Sequence, residues 1–172
     1  MKPFFLLIMT VFLLSAEDAD AKARPRTLAG QVVAVADGDT LTLLDRRYSQ
    51  YKIRLLGIDA PERAQAFGRV SREHLARRTM GKEVTARCLK RDRYQRWLCR
   101  IELDGVDVNQ AQVAAGLAWH YRAYGRDQTL VDWTVYALDE LRARQARRGL
   151  WSDPRPVAPW DYRRSKRVSA AG

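Results

Sequence analysis

The chain divides into short runs of β-branched and apolar residues punctuated by turn dipeptides, and longer stretches where apolar residues recur at helical spacing. Gln31 to Ala36 has strand character, Asp37-Gly38 is a strong turn signal, and Thr40-Leu41-Thr42-Leu43-Leu44 resumes the strand, which predicts a hairpin with acids at its turn. A polar segment around Asp45-Arg46-Arg47 leads into a third strand, Tyr51 to Leu56. This strand ends at Gly57-Ile58-Asp59-Ala60-Pro61, where proline stops regular structure. From Ala66 to Met80 the spacing turns helical, with Phe67, Val70 and Leu75 among arginines and Gly81 placed to end the helix. Two more strands, Glu83–Leu89 and Trp97–Leu103, follow.

After the Asp104-Gly105 turn, Val108 to Leu117 has helical spacing, with Val108, Ala111, Val113 and Ala115 supplying apolar contacts. The last element, Thr129 to Arg148, carries Val131, Val135, Leu138 and Leu141 along one face and arginines elsewhere. Thr129 and Asp132 are spaced as a capping box, and Gly149 closes the helix. Five short strands with three interspersed helices need closure to hide their edges, so the expected fold is a five-stranded OB-type barrel with three packed helices.

The amino terminus adds a different signal. Lys2 precedes an apolar run from Phe4 to Leu14, and small and acidic residues follow as far as Ala19-Asp20-Ala21, which is the pattern of a signal peptide over residues 1–21. The run is too short for a membrane span. Cleavage is placed after Ala21, with Ala16 and Ala23 as other sites and an uncleaved anchor as the competing reading. About 150 residues remain, enough for one compact domain over residues 27–160, followed by a loose basic tail over residues 161–172. The expected location is secreted or periplasmic, and the expected state is a monomer.

Charge points to the partner. The formal net charge is +11, and loss of one lysine and three acids with the leader raises it to +13. Of the 31 basic residues 25 are arginine, the planar group that grips phosphate with two hydrogen bonds. A polyanion, nucleic acid above all, is the expected partner, against a generic solubilising charge. Cys88 and Cys99 would sit in an oxidising compartment after export. If the strands around them form a hairpin turning at Arg93-Tyr94, the two are directly opposed and can pair; the alternative is two small buried side chains.

Three groups mix acids with arginines at strand ends: Asp37-Gly38-Asp39-Thr40, Arg54 with Asp59 and Glu62, and Asp92-Arg93-Tyr94-Gln95-Arg96. Together they resemble the staphylococcal-nuclease-like (thermonuclease) family, whose barrel carries an Asp-Gly-Asp-Thr turn, then Arg-x-x-x-x-Asp-x-Pro-Glu, then a Tyr-Gly-Arg hairpin. The second motif matches as Arg54-Leu55-Leu56-Gly57-Ile58-Asp59-Ala60-Pro61-Glu62, and Gly149-Leu150-Trp151-Ser152 matches as well, so the resemblance runs from about Ala29 to Trp160.

The resemblance implies that Asp39 and Asp59, with the backbone carbonyl of Ala60, hold one Ca²⁺, a hard cation that takes about six to eight oxygen ligands in loose geometry. Position 60 is usually Thr in the family, so Ala60 keeps the carbonyl and loses a hydroxyl. The resemblance makes Glu62 the general base toward water, and Arg54 and Arg96 the arginines that embrace the phosphate in the transition state. Gln95 stands where the family has Gly, which puts the aim of Arg96 in question. Arg93 and Tyr94 by motif, and Tyr121 and Tyr124 by region, are the implied substrate contacts, since stacking accepts any base. His74 and His120 have no neighbours of a zinc set and are read as structural, and Trp119, Trp133 and Trp151 as packing.

With the leader pattern, the resemblance therefore implies an exported Ca²⁺-dependent nuclease acting on DNA and RNA with little sequence preference and leaving 3′-phosphorylated products. Its rivals are a catalytically silent nucleic-acid-binding module of the same fold, and an exported basic protein that binds acidic envelope polymers.

Overall fold

The computed structural model describes residues 25–169; the expected signal segment lies outside them. Eight strands are formed: β1 (Arg26–Asp37), β2 (Thr40–Leu44), β3 (Gln50–Leu55), β4 (Ile58–Asp59), β5 (Glu83–Arg91), β6 (Trp97–Leu103), β7 (Val106–Asp107) and β8 (Trp119–His120). Four α-helices accompany them: α1 (Gly68–Thr79), α2 (Val108–Ala114), α3 (Leu130–Gln145) and α4 (Pro159–Ser169). Strands run in the order β3-β2-β1-β5-β6, and β3 closes the ring by pairing parallel with β6, which makes a five-stranded mixed barrel. The expected barrel is the one observed.

β1 begins earlier than its apolar run suggested because one long strand serves two neighbours. Its first half pairs with β5, Arg26 opposite Cys88, and its second half pairs with β2, Gln31 opposite Leu44. Inward positions fill the barrel with Val32, Leu41, Leu43, Ile53, Leu55, Ala86 and Ile101, and Leu75 of α1 with Val108 and Val113 of α2 plug it. Closure is secured by buried Asn109, whose amide donates to the carbonyls of Leu56 and Cys99 while its oxygen accepts from Ile101 N. A buried amide with all three bonds made stabilises one register specifically.

The β5–β6 hairpin has Cys88 opposite Cys99, the register read from the sequence, and the two form a disulfide. A bulge between Cys88 and Lys90 shifts the pairing beyond it, so that Arg91 faces Trp97. The turn is closed by Asp92, whose carboxylate accepts from Tyr94 N and Arg96 N.

Two expectations need correction. The Val131, Leu138 and Leu141 face of α3 points outward, Val131 being 70% exposed, whereas Tyr136, Asp139, Glu140 and Ala143 are buried. The cause is the partner surface, which is polar: Tyr136 Oη donates to Asp107, Asp139 accepts from Gln110, Glu140 accepts from His120 N, and Asp132 pairs with Arg100. Ion pairing and hydrogen bonding, rather than apolar periodicity, orient this helix. Its start is as read, with Thr129 accepting from Asp132 N. The second correction is the carboxyl terminus, where the supposed loose tail forms α4 as far as Ser169 and packs back through Gln65 to the Val157 carbonyl and Tyr162 to the Ala64 carbonyl. Among the described residues no helix is long and apolar enough to cross a membrane.

The disulfide closes a loop of 11 residues in sequence separation, and the chain-entropy account gives such a cross-link about 3 kcal/mol. Urea unfolding of oxidised against reduced protein should show a loss of that order; equal midpoints would mean that the hairpin is held without it.

Candidate active site

The Asp37-Gly38-Asp39-Thr40 turn between β1 and β2 sits on the helices beneath it. Ser71 of α1 lies so close to Gly38 that a Cβ there would fall 1.8 Å from its hydroxyl, and Gln112 of α2 donates to the Gly38 carbonyl at 2.7 Å. Gly38 is therefore needed for closeness, not only for turning. Gln112 is itself held by the imidazole Nδ1 of His74, so this histidine is a brace for the turn, as the sequence reading had it. His120 is likewise structural, with Nε2 bonded to Gln128.

Next to the turn, Arg54 stands near the end of β3, where Thr40 is its antiparallel neighbour. Gly57 then turns the chain with φ +76°, and β4 brings Asp59 back toward Arg54. The result is a three-part cluster. Arg54 Nη1 pairs with Asp39 Oδ2, and Arg54 Nη2 donates to Asp59 Oδ1 at 2.7 Å. Ala60 N donates to Asp39 Oδ2 at 2.6 Å, and the Thr40 hydroxyl donates to Asp39 Oδ1. Asp39 and Asp59 are 4% and 1% exposed, so one guanidinium holds two buried carboxylates side by side.

That arrangement is electrostatically short of positive charge. Burial pushes the Asp39 carboxyl up to about 6; Arg54 pulls it down, and the neighbouring Asp37 pushes it further up. Asp59 and Glu62 are engaged by a residue that sequence reasoning assigned to a solvated tail. Arg163 of α4 donates through Nη2 to Asp59 Oδ2 at 2.8 Å and through Nη1 to Glu62 Oε1 at 2.7 Å. Both carboxylates hold its guanidinium firmly in the charged form. Its only sequence signal was the basic run Arg163-Arg164-Ser165-Lys166-Arg167, which resembles any soluble end.

The structure thus unites Asp39, Arg54, Asp59, Ala60 and Glu62, and adds Arg163. The third predicted group stands beside them. Gln95 adopts φ +61° and so preserves the left-handed turn that glycine would make without strain. Arg96 follows it directly, one residue before Trp97, which neighbours Ile53 in the parallel β3–β6 pair. Its guanidinium is held by Asp92 at 2.8 Å and lies over the Tyr94 ring, with no contact to the cluster among the described residues. Arg93 also lies over the Tyr94 ring, 4.8 Å from its centroid, and that ring is 63% exposed. Burial, then the Asp59 charge and Tyr124, raise the Tyr121 phenol above the ordinary range, and its ring meets Tyr124 at 5.1 Å. The tyrosines therefore split into two patches, Tyr94 on one side and Tyr121 with Tyr124 on the other.

Among the described residues, no three His, Cys, Asp or Glu side chains converge as a complete metal set. The all-oxygen pair Asp39 and Asp59, with its surplus of negative charge, fits a hard cation whose remaining ligands are carbonyl, water and substrate oxygen.

Comparison with known proteins agrees with this geometry. Residues 52–153 match the family described as staphylococcal nuclease homologue. An uncharacterized endonuclease of Escherichia coli O157:H7 is 40% identical over 167 residues, 96% of this chain and the whole of that protein. A micrococcal nuclease of Shigella flexneri is 39% identical over 147 residues, covering 80% of this chain and 82% of its own. A probable staphylococcal-like nuclease, CAN1, of Oryza sativa subsp. japonica is 36% identical over 164 residues, 88% of this chain and 48% of that longer protein.

The raised Asp39 carboxyl has a measurable consequence. A folded-state value near 6 against an ordinary 3.8 means that the folded protein binds the proton more readily than the unfolded chain. Stability is then fully present below about pH 4 and falls as pH rises to about 6, by about 3 kcal/mol. In EDTA, the stability advantage of Asp39→Asn over the parent should grow across that window and level off above it. A difference independent of pH would contradict the electrostatic picture.

Proposed function

This chain belongs to the staphylococcal nuclease homologue family and is a hydrolase acting on nucleic acids, and from that premise we propose that it is an exported, Ca²⁺-dependent nuclease. It acts as a monomer on DNA and RNA with little sequence preference and leaves 3′-phosphorylated ends. The carrying observation is the cluster in which Arg54 bridges Asp39 and Asp59 beside Glu62. Export is supported by the leader pattern of residues 1–21 and by the Cys88–Cys99 disulfide, which belongs in an oxidising compartment.

In this reading Asp39, Asp59 and the Ala60 carbonyl hold Ca²⁺, which when bound supplies positive charge to the phosphate oxygens. The chain's own groups do the rest. Glu62 takes a proton from water as the water oxygen bonds to phosphorus, and the bond from phosphorus to the 5′ oxygen breaks, that oxygen leaving with a proton from solvent. Arg54 donates to the phosphate oxygens as their charge grows, and Arg96 turns from Asp92 to do the same. Tyr94, Arg93, Tyr121 and Tyr124 receive flanking bases and phosphates, with stacking indifferent to base identity.

Arg163 must move in this scheme, because its guanidinium covers both the Asp59 carboxylate and the proposed base. Arg163 would compete with the positive charge of a cation for the Asp59 carboxylate that now holds it, so the guanidinium would be released from Asp59. The silent-module reading corresponds to an Arg163 that never leaves.

Digestion of labelled DNA and RNA by the mature protein in Ca²⁺, Mg²⁺ or EGTA decides between them. Cleavage in Ca²⁺ that EGTA abolishes is expected, with Glu62→Gln slowing turnover by roughly 10²-fold or more while oligonucleotide affinity is kept, since general-base help is worth about 10²–10⁴-fold. Wild-type turnover in Glu62→Gln would remove Glu62 from the chemistry. Tight binding by the parent with no cleavage in any metal would leave the silent module.

A further inference from the structure

Helix α4 does more than deliver Arg163. Together with β8, the short turn that follows it and α3, it borders an open cavity of about 380 Å³, lined by Trp119, Tyr121 and Trp160 with Arg122, Arg144 and Arg164 around them. That volume lies within the range of small-ligand sites, roughly 300–1,000 Å³, and suits a nucleobase with its sugar. The aromatic wall is continuous: Trp160 meets Trp119 at 5.5 Å and Tyr121 at 5.3 Å between ring centroids. The indole N–H of Trp119 has no hydrogen-bond partner among the described residues.

The charge around these rings favours an anion. Glu140 is the one acid at the cavity, and it is satisfied by Arg122 and Arg144 at 3.3 Å each and by His120 N. Arg144 also lies over the Trp119 and Trp151 rings, which fixes it in place. Arg164 is exposed at the rim, its contact with Asp161 reaching only 3.9 Å. Three guanidinium groups against one carboxylate leave the rim net positive.

Position relative to the acids is the decisive observation. Trp119 is the direct antiparallel partner of Asp59, Tyr121 feels the Asp59 charge, and Arg163, which grips Asp59, is the helix neighbour of Arg164. The cavity therefore opens beside the reaction centre. It also depends on Trp160 and Arg164, which come from the carboxyl-terminal helix α4, beyond the segment 52–153 matched by the family.

We propose that this cavity is a second base-binding subsite, in which one unpaired nucleobase of a single-stranded substrate stacks on Trp160 and Tyr121 while Arg164 meets the adjoining phosphate. The subsite rests on the nuclease reading given above and specifies the form of its substrate. A base inside a duplex cannot enter it without being unstacked, so the subsite favours single strands and loops.

Binding of hexathymidylate, compared with a hexameric abasic backbone of equal charge, isolates the base contribution when both are measured in EGTA without turnover. The wild-type ratio of affinities should fall roughly tenfold in Trp160→Ala, because a stacked base contributes about 1–3 kcal/mol. Trp160→Phe should keep most of the ratio. Trp160→Leu, which retains apolar bulk for packing, should lose it as the alanine variant does, and it serves if the alanine variant is unfolded. Arg164→Gln should weaken both ligands together and leave the ratio unchanged. A ratio unaltered in Trp160→Ala or in folded Trp160→Leu overturns the subsite. Because no cleavage is involved, failure of the wild type to cut nucleic acid in Ca²⁺ would count against the nuclease reading alone.

Discussion

Two buried carboxylates on one guanidinium organise this protein. Asp39 and Asp59 approach each other from different parts of the chain, and neither could be buried unpaired without severe cost. Arg54 makes their proximity tolerable, and its place on β3 between the β1–β2 turn and β4 is fixed by barrel closure. The polar braces below serve the same end: Gln112 and Ser71 fix the Gly38 turn, and Asn109 locks β6 to the segment that leads to β4. What would be packing defects elsewhere, namely buried amides and acids, here set the position of the chemistry.

The compensation is deliberately incomplete in a physical sense. Burial first, and the neighbouring Asp37 second, push the Asp39 carboxyl up to about 6 in spite of Arg54. A site that stores unfavourable charge is selective for the species that relieves it, whether a cation or the guanidinium of Arg163. The same carboxylates explain why α4 docks where it does, through Arg163 on Asp59 and Glu62. Stability given up at the acids is regained in the disulfide, in the barrel core and in the ion pairs of α3.

Much of this was legible in the residues. Strand runs and turn dipeptides marked all five barrel strands, and the paired spacing of Cys88 and Cys99 about the Arg93-Tyr94 turn gave the hairpin register because antiparallel opposition is a local rule. The cluster of Asp39, Arg54, Asp59 and Glu62 was legible through the family motifs that its members match, more than from any one of them taken alone. Two things were not. The orientation of α3 escaped because its buried face is made of Tyr136, Asp139 and Glu140, whose partners come from distant parts of the chain and leave no periodic apolar trace. Arg163 escaped because a basic, serine-containing end has the composition of a solvated tail, and only tertiary contact with Ala64, Asp59 and Glu62 docks it as a helix.

The most direct test of the central claim is thermal unfolding of the purified wild-type protein at pH 7 across a Ca²⁺ titration begun in EDTA. If the surplus charge at Asp39 and Asp59 is relieved by the cation, the melting temperature rises with Ca²⁺, with a gain of about 2.7 kcal/mol at a hundredfold excess over the dissociation constant, and Asp39→Asn loses most of that response. A melting temperature indifferent to Ca²⁺ at millimolar concentration would contradict the account, and would leave the two buried acids as partners of Arg54 and Arg163 alone.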